Sequence, residues 1–569
     1  MRLITLISGL LTLVATVTAQ DETGDHPNWP RWCGKVYESG YPSFEPGGHT
    51  TAPPDNGSTY LYVQFKPRYS IYLDGETTAS FVVNAALSPW YGGAWTNSTT
   101  DGTATQPFTD LVFSINVAGN NTPLVKSSIS INETGIEFEF DLSAFEPSLT
   151  PYDVVLSGSS VYEDHIDTAA SSFLYLPDNP SGSATKIDNL NGGLLFKNAA
   201  TNNSFVPLLP YGYYGWYNGS TVPAEADAFV HEYTSNGEGL NAIIALANYT
   251  DTNPVYDSMD EFGLHYMFDL RSSYKNLTET ETRVNTIKGR SSLFAYWTAD
   301  EPDGQQVPFN TTPAAQSLIH TLDPYHPVAI TLNCQDFYFG AYAAGGDILM
   351  ADPYPIGTSY ALSKWGTTCN ATLGDCGCDN CAGTVQDVPS RLDDLAMYES
   401  WLGRWPLPRF FNPQVFHGED YWARDPTPGE ARVMNALAFS RGATGIFGWT
   451  WPSSDVLFAT HSEMAAVVTA SPVREFLLGG KAEPLTVEGT ELLDAAYWVQ
   501  GERMMVSVVN GGYVDVNSTL AVELPVAATG FEAVPFGGLS WRLVSGRLTV
   551  DRLPAMSSSF IILGLEVTG

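Results

Sequence analysis

Between residues 206 and 473 one rhythm repeats: a short apolar run, a turn, then a stretch with helical spacing. Apolar runs at 208–217, 241–247, 265–269, 294–298, 328–332, 347–351, 410–416 and 445–449 predict eight strands. Segments 225–235, 256–262, 277–287, 313–322, 390–402, 429–439 and 461–469 read as helices between and after them. Thr312 before Pro313 suits a helix cap followed by a first-turn proline. Eight such units over about 270 residues match the size of a (β/α)8 barrel. A doubly wound sheet is the competing architecture, but it usually carries a Gly-rich phosphate loop after its first strand. Here the first strand runs into Tyr213, Tyr214, Trp216 and Tyr217 instead.

The flanks have a different texture. Residues 59–205 hold short alternating runs separated by Gly, Asn, Pro and Thr, with no helical stretch, and predict an N-terminal β-sandwich. Residues 474–569 hold five further strand candidates and predict a C-terminal β-sandwich. Residues 21–58 form an irregular lead-in rich in Pro, Gly, Asp and Thr. Residues 1–20 read as a secretory signal peptide, with Arg2, an apolar run over 3–17 and small residues at Val17-Thr18-Ala19. That run is short for a membrane span. The expected fold is therefore multidomain, a central TIM barrel between two β-sandwich domains.

The chain carries 62 acidic and 26 basic side chains, a formal net charge of −36. Such a surface repels nucleic acid and anionic lipid, so neither is an expected partner, and no membrane association is expected once the signal is removed. Eleven Asn-x-Ser/Thr sequons, at Asn56, Asn97, Asn120, Asn132, Asn202, Asn218, Asn248, Asn276, Asn310, Asn370 and Asn517, predict N-linked glycans and a secreted, extracellular protein. Of six cysteines, Cys369, Cys376, Cys378 and Cys381 crowd into one segment. Their spacing suits zinc or disulfides, and an oxidising compartment favours disulfides. Cys33 and Cys334 are left as a further potential pair.

Catalytic groups of a barrel stand at the C-terminal ends of its strands. The polar and aromatic residues predicted there are Tyr213 and Trp216 after strand one, Asp269 after strand three, and Asp300 and Glu301 after strand four. Asp352 follows strand six, Gln414, His417 and Glu419 follow strand seven, and Trp449 and Trp451 end strand eight. The four aromatics over 213–217 are too dense for one strand face, and Trp449 and Trp451 suit substrate stacking or core packing alike. Carboxylates among aromatic rings are what glycosidic cleavage requires: one carboxylic acid protonates the leaving oxygen, and a second carboxylate attacks carbon or activates water. No His-Glu-x-x-His and no Gly-x-Ser-x-Gly occurs, so neither a metal, another cofactor nor a serine nucleophile is expected. Asp425 to Glu430 reads as a helix start with Thr427 as its cap.

The run Trp297-Thr298-Ala299-Asp300-Glu301-Pro302, placed after the fourth of eight strands, resembles the Asn-Glu-Pro signature of the clan of retaining (β/α)8-barrel glycoside hydrolases. The resemblance implies that Glu301 is the acid/base. It implies a sugar 2-hydroxyl contact at the position that holds Asp300 instead of Asn. It also implies a nucleophilic Glu at the end of strand seven, where this chain has Gln414, with Glu419 five residues on. Glu419 is then the leading second carboxylate and Asp352 its alternative, the latter favouring inversion. The expected activity is hydrolysis of a plant or fungal polysaccharide or oligosaccharide by two-carboxylate chemistry, retaining and, if the insert at 356–388 walls off the mouth, exo-acting. Gln414 motivates the alternative, a non-catalytic carbohydrate-binding or cell-wall protein on a degenerate barrel.

Overall fold

The computed structural model describes residues 48–94, 110–120, 122–160, 166–179, 182–246, 254–305, 307–333, 336–358, 376–378, 381–487, 489 and 492–566. The expected signal peptide, most of the lead-in, and Cys33, Cys334 and Cys369 lie outside them.

Eight parallel strands close into a barrel: β1 (Tyr211–Trp216), β2 (Ala242–Leu246), β3 (His265–Asp269), β4 (Leu293–Asp300), β5 (Val328–Leu332), β6 (Ile348–Ala351), β7 (Arg409–Phe411) and β8 (Ala443–Trp451). Parallel strands covered on both faces read as unbroken apolar runs, because each residue meets either the barrel interior or a helix. Ile244, Met267, Phe294, Trp297, Met350, Phe410 and Phe447 fill the interior in one cluster. Ile243, Phe268, Tyr296, Ile330 and Ile446 pack outward with the surrounding helices in another. The doubly wound alternative is excluded by this closure.

A three-stranded sheet (Ala184–Ile187, Leu194–Lys197, Val206–Leu208) leads directly into β1. Its Ile187, Leu194, Phe196 and Leu208 belong to the same cluster as the interior residues and stop the N-terminal end of the barrel with apolar packing. Access to the interior is therefore from the C-terminal end.

Upstream, two four-stranded antiparallel sheets share one core, with Phe65, Phe81 and Phe140 from one sheet meeting Phe113, Leu156 and Phe173 from the other. The strands Pro123–Ser130 and Ile166–Phe173 were not expected. Ser127, Ser128 and Ser130 in the first and Ala169, Ala170, Ser171 and Ser172 in the second dilute the β-branched and aromatic signal of a strand. Downstream, a five-stranded sheet (Glu483–Pro484, Leu493–Gln500, Arg503–Asn510, Ser557–Leu565, Ala528–Phe536) is covered on both faces. Met504, Val506, Ile561 and Leu563 meet Leu520, Val522 and Leu548 of a three-stranded sheet. Met505, Val509, Phe560 and Ile562 pack in the cluster that includes Val433, Leu437 and Phe439 of the helix Pro428–Ser440. That helix begins as its sequence predicts: Thr427 Oγ1 accepts from the Glu430 N–H and the Glu430 carboxylate accepts from the Thr427 N–H.

Cys378 is disulfide-bonded to Cys381, and Cys376 is also in a disulfide. Cysteines bonded in this way have no thiolate to give a metal, which removes the zinc alternative.

Candidate active site

The floor of the open end is aromatic. Tyr214 on β1 lies 4.8 Å, ring to ring, from Trp297 on β4 and 5.2 Å from Trp449 on β8. Trp297 Nε1 donates to Thr331 Oγ1 on β5 at 3.0 Å, and Asn412 Nδ2, just past β7, donates to the Tyr214 hydroxyl at 2.7 Å. Trp216 stands beside Trp449 at 5.9 Å and is 52% exposed, a ring face open to a ligand.

β4 delivers Glu301 to this floor. Its N–H donates to the Thr331 carbonyl at 3.1 Å, and its φ of 48° turns the chain through the left-handed region. A non-glycine residue there marks strain that the surroundings must hold. Asn333 Nδ2 donates to Glu301 Oε1 at 2.5 Å, and the Asn333 N–H is in turn held by both oxygens of Asp303, at 3.2 and 3.1 Å. Glu301 and Asp352, the latter 4% exposed at the end of β6, are joined by a carboxyl–carboxylate hydrogen bond. Burial, and then the charge of Asp352, raises the pKa of Glu301 well above the usual carboxylate range. Burial pushes Asp352 up to about 7, and the hydrogen bond from Glu301 pulls the other way. Each carboxyl thus raises the proton affinity of the pair, and Glu301 is the one that its neighbour's charge pushes up.

A second carboxylate group lies one strand over. Arg271 donates from its backbone N–H and from Nε to Asp269, at 3.0 and 3.2 Å, and its guanidinium stands 3.9 Å from Asp300. The same guanidinium sits over the rings of Trp216 and Trp297, at 5.8 and 5.4 Å. Burial raises both Asp269 and Asp300 to about 6, with Arg271 opposing.

Across the barrel from β4, Trp449 Nε1 donates to Glu419 Oε1 at 3.2 Å. Glu419 is exposed and, like Glu301, has a left-handed backbone, with φ at 47°. Its loop is well fastened: Gly418 N–H bonds to the Trp422 carbonyl at 2.6 Å, Trp422 Nε1 to the Tyr354 carbonyl at 2.7 Å and Ala423 N–H to the Gly357 carbonyl at 2.9 Å.

Of the residues singled out in the sequence, Asp269, Asp300, Glu301, Asp352, Trp216, Trp449 and Glu419 meet at this end. Three of the others, Tyr213, Trp451 and Gln414, do not serve as expected. Tyr213 is fully buried on the outer face, 5.8 Å from Phe458 and 6.3 Å from Tyr233, because strand alternation sends Tyr214 inward. Trp451 packs on Phe229 and Tyr233 behind the sheet. Gln414 is fully buried, giving Nε2 to the Ile356 and Phe416 carbonyls and accepting from the Ile356 N–H, so its amide is spent on backbone. His417 is at the rim, 2.7 Å from Asp425. Tyr214, Asn333 and Asn412 were missed, although Asn333 directly follows β5 and obeys the same strand-end rule. Among the described residues no group of three or more His, Cys, Asp or Glu is arranged to hold a metal ion.

No family model matches the sequence, and no curated protein matches it. Among solved structures the chain is similar to a putative α-galactosidase from Bacteroides fragilis NCTC 9343, with 12% identity and a TM-score of 0.43, over 88% of this chain and 97% of that one. It is similar to an α-amylase from Anoxybacillus, with 8% identity and a TM-score of 0.41, over 63% of this chain and 98% of that one. It is also similar to a GH30 endoxylanase from Clostridium papyrosolvens C71, with 10% identity and a TM-score of 0.38, over 63% of this chain and 96% of that one.

Proposed function

We propose that this chain is a secreted glycoside hydrolase acting on a plant or fungal polysaccharide or its oligomers, with Glu301 as the general acid. One observation carries the reading: a carboxyl whose proton affinity is raised by burial and by a hydrogen-bonded carboxyl neighbour stands above an aromatic floor at the open end of a barrel. A neutral carboxyl in such a place can give its proton to a leaving glycosidic oxygen.

The partner carboxylate must lie on the other side of the scissile bond. Asp352 shares a hydrogen bond with Glu301, so the two cannot hold a sugar ring between them. Asp352 is therefore a positioning residue whose charge raises the proton affinity of Glu301. Glu419, held by Trp449 on the opposite strand, is the second catalytic carboxylate, and attack by it gives a retaining reaction. Trp216 and Trp449 supply the stacking faces. The described end of the insert packs against the Glu419 loop, where Gly377 lies beside Tyr421 and Trp422 and Thr358 bridges to Trp422, which supports a walled, exo-acting mouth. The eight sequon asparagines among the described residues, Asn56, Asn120, Asn132, Asn202, Asn218, Asn276, Asn310 and Asn517, are all exposed, which supports N-glycosylation and secretion. The paired sheets at 59–205 and 474–569 are read as β-sandwich domains flanking the barrel at 206–473.

Glu301→Gln and Glu419→Gln test the pair. Each is expected to lower kcat on the best aryl glycoside by roughly a hundredfold to ten-thousandfold with the fold intact. Near-full activity of Glu301→Gln sinks the acid assignment. The anomeric form of the first-released sugar, read by NMR, checks retention. The absence of a carboxylate at Asn412 or Gln414, around the end of β7, favours a second reading: a glycan-binding protein without turnover. It would hold if the purified chain bound glycans in a broad screen and hydrolysed none.

A further inference from the structure

We propose that Asn333 is a positioning residue for the acid, fixing Glu301 Oε1 as the carbonyl oxygen so that the proton is delivered from Oε2; this rests on the glycosidase reading above. The end of β5 holds Glu301 at two points. The Thr331 carbonyl accepts the Glu301 N–H at 3.1 Å, and Asn333 Nδ2 donates to Glu301 Oε1 at 2.5 Å. Thr331 and Asn333 are two positions apart, and alternation along an extended chain sends both toward the same side. That side is the barrel interior, where Thr331 Oγ1 accepts from Trp297 Nε1 at 3.0 Å. The grip is returned by the acid's own loop. Asp303, two residues past Glu301, accepts the Asn333 N–H with both carboxylate oxygens, at 3.2 and 3.1 Å. Each strand end thus holds the other.

The donor decides which oxygen carries the proton. A protonated carboxyl has a carbonyl oxygen that accepts and a hydroxyl oxygen that donates. The Asn333 amide claims Oε1 as its acceptor, which leaves the hydroxyl on Oε2. Without that amide the two oxygens are interchangeable, and a rotated carboxyl turns its proton away from a leaving oxygen for part of the time. Asn333 is 7% exposed and faces Glu301, a placement for orienting the acid rather than for holding a sugar. The bond also has an electrostatic sign. Asp300 and Asp303, at the strand end and in the loop of Glu301, and Asp352 from β6 raise the proton affinity of Glu301, while Tyr354 past β6 is a neutral phenol. An amide N–H binds an ionised carboxylate more strongly than a neutral carboxyl, so Asn333 opposes the three acids.

The acidity of the leaving group reads this role. A phenolate leaves poorly and needs the acid's proton, whereas a dinitrophenolate leaves without it. The probes are phenyl and dinitrophenyl glycosides of glucose, galactose, mannose and xylose, in both anomeric series. On the pair that the unsubstituted protein cleaves best, Asn333→Leu is expected to lower kcat/KM for the phenyl glycoside by roughly tenfold to a hundredfold and for the dinitrophenyl glycoside by less than about threefold. The alkaline limb of kcat/KM for the phenyl glycoside should move to higher pH, by about half a unit or more. A purely structural residue would slow both glycosides alike. Equal losses on both, no loss on either, or a limb that stays in place or falls overturns the inference and leaves the glycosidase reading standing. If Asn333→Leu does not fold, Asn333→Ala removes the donor without added bulk and is read in the same way; if neither folds, Asn333 is structural and the inference fails. Cleavage of none of the glycosides by the well-folded unsubstituted protein overturns both.

Discussion

Glu301 and Glu419 both hold left-handed backbone conformations, with φ at 48° and 47°, on opposite sides of one cavity mouth. Neither conformation is favoured by a glutamate, and each is fixed by hydrogen bonds from neighbouring elements. The environment of Glu301 leads to a pH prediction. A general acid works while protonated, so activity is lost as pH rises through its pKa. The Asp352 charge raises that pKa. Asp352→Asn should therefore move the alkaline limb of kcat/KM to lower pH, by about one unit or more, with little change in the acid limb. An unmoved alkaline limb would show that Asp352 does not set the proton affinity of the acid. At this scale the sequence was legible where a strand meets its loop, as with Glu301, Asp352 and Trp449. It was illegible where only inward or outward parity matters. Tyr213 and Tyr214 are both fully or nearly fully buried, and in a strand covered on both faces no polar alternation reveals which of the pair points inward.

The loop that bears Glu419 is secured from the C-terminal side. Arg424 makes two 2.7 Å bonds to the Glu430 carboxylate, and the Tyr513 hydroxyl donates to the same carboxylate from beyond the barrel. Glu430 is fully buried, completes the cap of the helix Pro428–Ser440, and is held at about 2 by these donors against the opposing effect of burial. Glu430→Ala would unmake the cap and release the half-exposed Arg424 guanidinium to solvent. The expected loss is about 1 to 2 kcal/mol of stability, read by chemical denaturation, together with a fall in kcat larger than any change in KM. Stability lost without loss of kcat would separate the clasp from Glu419. Element existence was well foreshadowed: all eight barrel strands fall on predicted apolar runs. Element ends were less so. The run at 410–416 suggested a long seventh strand, but β7 stops at Phe411. Pro413, which lacks an N–H, and the backbone-clamping Gln414 mark where pairing gives way to loop.

Across the whole molecule the buried acids set a stability optimum. Burial raises Asp269 and Asp300 to about 6, Asp336 and Asp352 to about 7, and Glu301 well above the usual carboxylate range, whereas unfolded carboxyls titrate at about 4. A folded pKa above the unfolded one gives stability that is complete below about pH 4 and is lost as pH rises through the folded value. Glu430 has the opposite sign, and its contribution is lost only as pH falls below about 4 toward 2. The formal charge of −36 adds self-repulsion at higher pH. Melting temperature should therefore peak near about pH 4 to 5 and decline toward pH 8, as calorimetry would show; a steady rise over that interval would contradict the protonation states assigned here. The five-stranded sheet behind the barrel has a further consequence. Because it is apolar on both sides, and one side is the cover for the helix Pro428–Ser440, the last hundred or so residues are not a portable cassette. Cutting the gene before them would leave a barrel with an open oily flank, and any recombinant or natural rearrangement of this chain must carry the two pieces together.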